Sequence, residues 1–223
     1  MRSILTDWLF SVEWLQNISI KNIIAQKMNT IGQLASLTAG HPFRESIENA
    51  LDGDVAVVQM KDVDPEKGLD NGKLYHVRLT GRKKPDYLRR GDILFVGRGY
   101  RIFAVLVDED LECTVACSHF FVIRVNNAQD VMPGYLAWYI NHTQAQRYFS
   151  QRVAGTVLPY VNRKVLEELP VVLPPLAVQQ GIVKAHCCGL TEKALLESLI
   201  EKKKQLLEGL LEKTLEQYQG DRV

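Results

Sequence analysis

The chain has 223 residues, of which 46% are hydrophobic and 24% are charged, a composition typical of a globular protein with a sizeable core. Its 27 Lys and Arg against 26 Asp and Glu leave a net charge of +1, so bulk charge does not indicate a nucleic-acid partner. No apolar run approaches the ~20 residues that cross a bilayer, and the first residues lack a signal-peptide cleavage site, which predicts a cytoplasmic protein.

The first 28 residues are predicted to form an N-terminal helical segment. Five apolar residues in it recur at the spacing of an amphipathic helix: Leu5, Trp8, Leu9, Val12 and Leu15. Mixed helical signals continue over residues 22–37. The segment TAGHPFRES (38–46) is predicted to be a loop.

Between residues 54 and 125 the pattern changes to short β-branched and aromatic runs, which Gly, Asp, Asn or Pro separate. The runs are DVAVVQM (54–60), KLYHVRL (73–79), GDILFVG (91–97), RIFAVLV (101–107) and SHFFVIRV (118–125). We interpret them as the strands of one mixed sheet or distorted barrel.

Helical patterns return after these runs. Pro133 opens the segment PGYLAWYINHTQAQRYFSQ (133–151), since proline is well tolerated in a first helical turn. Asn162 is a suitable N-cap for the short helix RKVLEEL (163–169). PVVL (170–173) is predicted to be a short buried strand.

The last segment is predicted to be one long helix. From Leu176 to about Tyr218 the chain contains no proline, and apolar residues recur at three-to-four spacing with Glu and Lys between them. About 40 residues at ~1.5 Å each reach ~60 Å. This length exceeds the diameter of a domain of this size, so we expect the helix to project. The prolines of LPPL (173–176) hold the residues before them extended and are interpreted as a rigid joint.

The apolar stripe of this helix requires a covering partner. The short N-terminal helix cannot cover ~60 Å, so we expect a coiled coil with a helix of another chain. The candidate dimerisation residues are Leu196, Leu199, Ile200, Leu206, Leu207 and Leu210.

The four cysteines, Cys113, Cys117, Cys187 and Cys188, fit a reduced compartment. Cys113 and Cys117 lie close to His119, but no second Cys/His pair follows at zinc-finger spacing. We therefore expect all four to be buried small side chains, and we predict no metal and no other cofactor.

The strongest charge signal is a basic block from Lys73 to Arg101. Nine Lys or Arg stand in it against two acids, Asp86 and Asp92, for a net charge of +7. Such a block indicates contact with nucleic-acid phosphates. A solvated loop is the alternative interpretation.

The order of motifs resembles the DNA specificity subunits of type I restriction–modification systems. The motifs are GHPFRES (40–46), LRRGDILFVGRG (88–99), SHFFVIRV, PGYLAWYINHTQAQRYF and AGTVLPYVNRKVLEELPVVLPPLAVQQGIV (154–183), with a coiled-coil helix after them. The resemblance covers residues 30–218. With the patterns above, it implies an α+β fold with one globular target recognition domain (29–173), a mixed sheet or distorted barrel with helices. A proline joint and the long projecting spacer helix (174–223) follow.

The resemblance also implies a function. The chain should bind a bipartite sequence in double-stranded DNA, assemble with methyltransferase (modification) subunits and with restriction subunits where these are present, and perform no catalysis itself. Full-length family members carry two recognition domains and two spacers, so we expect a half-length form that pairs as a homodimer or with another half-subunit. The candidate DNA-binding residues are Arg82, Lys83, Lys84, Arg89, Arg90, Arg98 and Arg101, followed by Arg44, Tyr160, Arg163 and Lys164.

Two other classes of protein are weighed against this hypothesis. One is a metal-dependent nuclease, because Asp54 precedes Gln59 and Lys61 in a layout loosely like that of enzymes in which two carboxylates bind Mg²⁺. Gln59 stands in place of the second acid, which weakens this interpretation. The other is a coiled-coil or inhibitory protein that occupies the modification subunit without reading DNA.

Overall fold

The computed structural model describes residues 28–43, 45–50, 52–79, 85–153 and 159–220, and the side chains up to residue 218. The predicted N-terminal helical segment lies outside the described residues apart from Met28. The chain divides into two compact units between Val183 and Lys184. None of the described helices is long and apolar enough to cross a membrane.

The first unit combines short strands with short helices, so its fold is α+β. The described strands are β1 Met28–Thr30, β2 Ala35–Ala39, β3 Val55–Val58, β4 Val63–Asp64, β5 Gly68–Leu69, β6 Tyr75–Val77, β7 Ile93–Val96, β8 Phe103–Leu106, β9 Thr114–Ala116, β10 Phe120–Val125 and β11 Pro170–Val172. The described helices are α1 Ile31–Leu34, α2 Pro133–Asn141, α3 Thr143–Ser150, α4 Arg163–Glu167 and α5 Leu176–Gly220. All five predicted runs between residues 54 and 125 contain a strand.

A four-stranded antiparallel sheet of order β2-β10-β7-β8 lies at the centre of this unit. Both of its faces are buried, since a hydrophobic core packs against each one. Successive side chains of a strand point to opposite faces. On one face, Ile93 and Phe95 join a core with the helices, and the Phe95 ring lies 5.5 Å from that of Phe149 in α3. On the other face, Leu94 and Val96 join a second core with β3 and β9. The continuous apolar run of β7 follows from this double burial.

The predicted combination of a mixed sheet with helices is confirmed, but the strands do not all lie in one sheet or barrel. The described strands form four separate sheets, and these do not close into a barrel. β3 pairs antiparallel with β6 and parallel with β9, so the second layer is a mixed sheet of order β6-β3-β9. The β4–β5 and β1–β11 pairs make two small ribbons. The strand runs alone could not distinguish one sheet from two packed layers, because each layer buries the same kinds of side chain.

Two helix predictions need correction. Residues 28–37, where helical signals were expected to continue, and the first two residues of the expected loop form β1, the single turn α1 and β2 instead, because β1 and β2 pair with β11 and β10 far along the chain. The segment 133–151 is not one helix but two, since His142 has an extended backbone between α2 and α3. The Asn141 side chain accepts from the Ala104 N–H and donates to its carbonyl, each at 2.8 Å, which ties the end of α2 to the edge of β8.

The segment from β11 into α5 is held by buried hydrogen bonds. α4 begins as predicted, with the Asn162 side chain accepting from the Val165 N–H at 2.9 Å. α5 begins after Pro175, whose carbonyl accepts from the N–H groups of Val178 and Gln179. The Gln179 side chain is fully buried. Its Oε1 accepts from the Met132 N–H at 2.9 Å, and its Nε2 donates to the carbonyls of Asp130 and Pro174.

The second unit consists of the part of α5 that follows Val183. At ~1.5 Å per residue, residues 184–220 extend over ~55 Å. The long helix is therefore confirmed. All six predicted dimerisation residues lie on it with at least half of their surface exposed, from Leu199 at 50% to Ile200 at 68%.

Candidate nucleic-acid interface

The hairpin of β7 and β8 carries the clearest candidate surface. Val96 and Phe103 form its last described pair, and residues 97–102, the sequence GRGYRI, connect the strands. We call these six residues the hairpin tip. Arg98, Tyr100 and Arg101 are exposed there, and Tyr100 is 87% exposed.

The hairpin tip is fixed in place by a neighbouring segment. The Val161 N–H donates to the Gly97 carbonyl at 2.7 Å, and the Gly99 N–H donates to the Pro159 carbonyl at 2.9 Å. The Arg98 guanidinium lies 5.9 Å from the centre of the Tyr160 ring, at the outer limit of a cation–π contact. The structure thus brings together Arg98 and Tyr160, two candidates that lie far apart in the sequence.

Two glycines, Gly97 and Gly99, permit the backbone conformation of the hairpin tip. Gly99 has a φ of +115°, a region that other residues rarely adopt. A Cβ atom at Gly97 would lie 2.8 Å from the Phe95 ring. The backbone path of the tip therefore requires glycine at both positions.

Arg101 has an acidic neighbour. Its guanidinium lies 6.0 Å from the centre of the Phe103 ring. The pKa of Asp64 lies below its usual range, mainly because its carboxylate accepts hydrogen bonds from the N–H groups of Glu66 and Lys67, with a smaller contribution from Arg101. The negative charge of Asp64 therefore partly offsets the positive charge with which Arg101 could attract a phosphate.

Arg89 and Arg90 lie at the opposite end of the same hairpin. The Arg89 carbonyl accepts from the Asp92 N–H, and the Gly91 N–H donates to the Val107 carbonyl beyond β8. β7 separates Arg90 from Arg98, and its four residues alone extend over about 13 Å. Among the described candidates of the basic block, Arg89 and Arg90 thus lie apart from Arg98 and Arg101.

Asp92 has a structural role that the sequence interpretation missed. It is 1% exposed, and its carboxylate accepts two hydrogen bonds of 2.7 Å from Arg124 and one of 2.9 Å from the Arg89 N–H. The bond to Asp92 is also the main reason why the pKa of Arg124 is raised. The antiparallel register of β7 and β10 places residue 124 opposite residue 92. The sequence contained a signal for this pair. Asp92 stands just before the apolar strand β7, and Arg124 lies within the apolar strand β10.

Arg163 and Lys164, the two candidate DNA-binding residues in α4, each already pair with a nearby carboxylate. The Arg163 side chain donates to Glu167 at 2.7 Å, and Lys164 lies 3.9 Å from Glu168. Both basic residues are exposed, and such pairs are weak, so a phosphate could displace the carboxylates. The remaining candidates, Arg44, Arg82, Lys83 and Lys84, lie outside the described residues.

The nuclease layout does not form a metal site in the described chain. Lys61 Nζ lies 3.2 Å from the centre of the Tyr75 ring rather than beside a carboxylate. β3 separates Asp54 from both Gln59 and Lys61. Within the ranges that the structure describes, no three His, Cys, Asp or Glu side chains are placed to hold a metal ion.

The prediction of four buried cysteines is wrong for three of them. Cys117 is buried, burial raises the pKa of its thiol, and its Sγ lies 3.5 Å from His119 Nδ1. Cys113 is exposed in a turn with a φ of +43°. Cys187 and Cys188 are exposed on α5, where neighbouring helical residues point about 100° apart.

Comparison with known protein families gave a match over most of the chain. The family model described as "Type I restriction modification DNA specificity domain" matches residues 26–185. The comparison with curated proteins gave no match.

Three solved structures resemble the fold. The type I restriction–modification S subunit from M. genitalium is 16% identical with a TM-score of 0.52, over 81% of this chain and 43% of that chain. The HsdS subunit from Thermoanaerobacter tengcongensis is 19% identical with a TM-score of 0.53, over 82% and 45%. A chain from a study of type I R-M complex assembly and conformational transition is 15% identical with a TM-score of 0.61, over 94% and 51%. The chain spans about half the length of these structures.

Proposed function

The chain belongs to the family of type I restriction modification DNA specificity domains, and on this premise we propose that it recognises a defined sequence in double-stranded DNA for a restriction–modification complex. The family match over residues 26–185 carries the proposal. That range includes the hairpin tip, Tyr160 and the start of α5.

The chemistry of the hairpin tip supports DNA as the ligand. Arginine neutralises phosphate charge and also bonds to guanine edges, so it serves both affinity and sequence choice. Arg98 and Arg101 provide two such groups at one end of a two-stranded ribbon, which is an element that fits the major groove of DNA. Arg82, Lys83 and Lys84 are proposed as further phosphate contacts.

In this proposal the chain supplies recognition, and catalysis belongs to its partners. The partners are methyltransferase subunits, and restriction subunits where these are present. The complex acts in the cytoplasm, where the chain meets its DNA. The exposed arginines and tyrosine of the tip serve binding rather than chemical transformation.

The exposed face of α5 is proposed as the pairing surface. Two groups of four apolar residues lie on it, Leu195, Leu196, Leu199 and Ile200, then Leu206, Leu207, Leu210 and Leu211, all at least 50% exposed. The second group repeats the first after eleven residues, or about three helical turns, so both lie on one face. We propose that this face pairs with a second copy of the chain. A different half-subunit is the alternative partner.

Selection from a pool of random duplexes tests the proposed function. The full chain, purified together with the modification subunits of its complex, is mixed with the pool at physiological salt, and bound DNA is sequenced over several rounds. We expect one defined sequence to be enriched, because base contacts discriminate by about 1–3 kcal/mol each. A bound pool that stays random in sequence contradicts the proposal.

A further inference from the structure

Among the described tyrosines of the first unit, Tyr100 is the most exposed. It is 87% exposed, whereas Tyr87 and Tyr160 are 38% and 39% exposed. Within the described ranges its side chain makes no hydrogen bond, ion pair or ring contact. A single exposed aromatic side chain is common on protein surfaces, so a functional role for Tyr100 must be argued from its surroundings.

Three features of those surroundings point to a ligand. Tyr100 stands between Arg98 and Arg101 in the sequence of the exposed tip, so the local positive charge would attract a polyanion. It occupies the end of a hairpin rather than a sheet face, so nothing described in the chain limits access to it. The Gly99 conformation and the backbone bonds to residues 159–161 keep the base of the tip fixed, so little order would be lost on binding.

The arginines beside Tyr100 differ in availability. Arg98 lies over the Tyr160 ring, a contact that leaves its N–H groups free to donate at their edges. Arg101 is near the Asp64 carboxylate. Arg98 is therefore the better phosphate or guanine contact.

We propose that the hairpin tip enters the major groove of the target DNA and that Tyr100 contacts base edges there, with Arg98 beside it. The inference rests on the proposed function and adds a specificity-determining residue to it. A two-stranded ribbon fits the major groove, where the ring can pack on a thymine methyl group and the hydroxyl can bond to a base acceptor. Tyr100 would then set sequence choice more than overall affinity.

Variants of the full chain test this role. Affinities are measured for the duplex enriched by the wild type and for a scrambled duplex, by fluorescence anisotropy at two or more salt concentrations. Tyr100→Ala should lower the ratio of specific to scrambled affinity about tenfold or more, and it should leave the scrambled affinity and its salt dependence unchanged. Tyr100→Phe, which keeps the ring, should retain most of the ratio.

Tyr87→Ala is the matched control, because Tyr87 is also exposed but lies at the other end of the hairpin. It should leave the ratio unchanged. An unchanged ratio in Tyr100→Ala overturns the inference, and so does an equal loss on both duplexes with a smaller salt slope, which would indicate a phosphate contact. If the wild type itself prefers no sequence, the proposed function fails, a result distinct from either.

Discussion

At the scale of single residues, the hairpin that carries the candidate interface is held at its far end by Asp92 and Arg124. Asp92 is almost completely buried, while the Arg124 side chain is 29% exposed. A buried ion pair does not by itself add much stability, but removal of one partner leaves the other without compensation. The pair therefore fixes the register of β7 against β10, on which the position of the hairpin tip depends.

The variant Asp92→Asn should destabilise the fold by about 2–3 kcal/mol, because Arg124 keeps its charge, loses its buried carboxylate partner and retains only the more exposed Asp86. Urea unfolding followed by circular dichroism measures the change. Asp52→Asn is the control, since its pair with Arg78 is 67% exposed on both sides and should cost about 1 kcal/mol or less. Equal losses in the two variants would show that burial of Asp92 does not matter.

For the candidate DNA-binding residues, the sequence showed which side chains are basic but not where they lie on the fold. The charge pattern identified the arginines of the basic block, but it could not show that Arg89 and Arg98 lie at opposite ends of one strand. It also treated Asp92 as a reduction of positive charge, although Arg124 compensates it. Tyr100 was missed because nothing in its local sequence shows that it stands exposed at a hairpin end.

At the scale of elements, the sequence predicted what depends on local signals. Alternation and β-branched residues revealed β3, β7, β8 and β10, and the absence of proline revealed α5. Residues 28–39 could not be predicted in this way, since their strand pairing depends on residues 121–125 and 170–172. The break at His142 depends on the bonds between Asn141 and Ala104, which again are not local.

Gln179 explains how the chain is held where α5 begins. Gln179→Leu should lower stability by about 2–4 kcal/mol, because it leaves the buried Met132 N–H and two carbonyls without their partner. Gln180→Leu is the matched control, as the neighbouring side chain is exposed and should change stability by less than about 0.5 kcal/mol. Urea unfolding separates them, and a control as damaging as Gln179→Leu would assign the loss to the helix surface.

The two apolar groups of α5 also make a prediction about pairing. Leu199→Glu combined with Leu206→Glu should weaken association by about a hundredfold or more, because each buried leucine contributes about 1.5–3 kcal/mol and each new charge lacks a partner. Light scattering over a concentration series measures it. Ser198→Glu with Gln205→Glu adds the same charges beside the apolar face and should leave association intact. A monomeric wild type at tens of micromolar would exclude the homodimer.

At the scale of the whole molecule, recognition of a two-part site requires two recognition units. Lys203 lies midway between the two apolar groups of α5, so a two-fold antiparallel pair centred there would align each group with the other group of the partner. The same register would bring the two Lys203 side chains together, a repulsion that Lys203→Leu should relieve with tighter pairing. A homodimer of this kind would read a palindrome interrupted by unspecified bases.

The most direct measurement of sequence recognition is a scan of single base-pair changes across the enriched duplex. We expect a limited set of positions at which each change lowers affinity by about 1–3 kcal/mol, with insensitive positions between them, and a two-fold arrangement of the sensitive positions if the chain acts as a homodimer. The scan is repeated with Tyr100→Ala, which should lose sensitivity at one or two of these positions. Equal affinity of the wild type for every changed duplex would contradict the account.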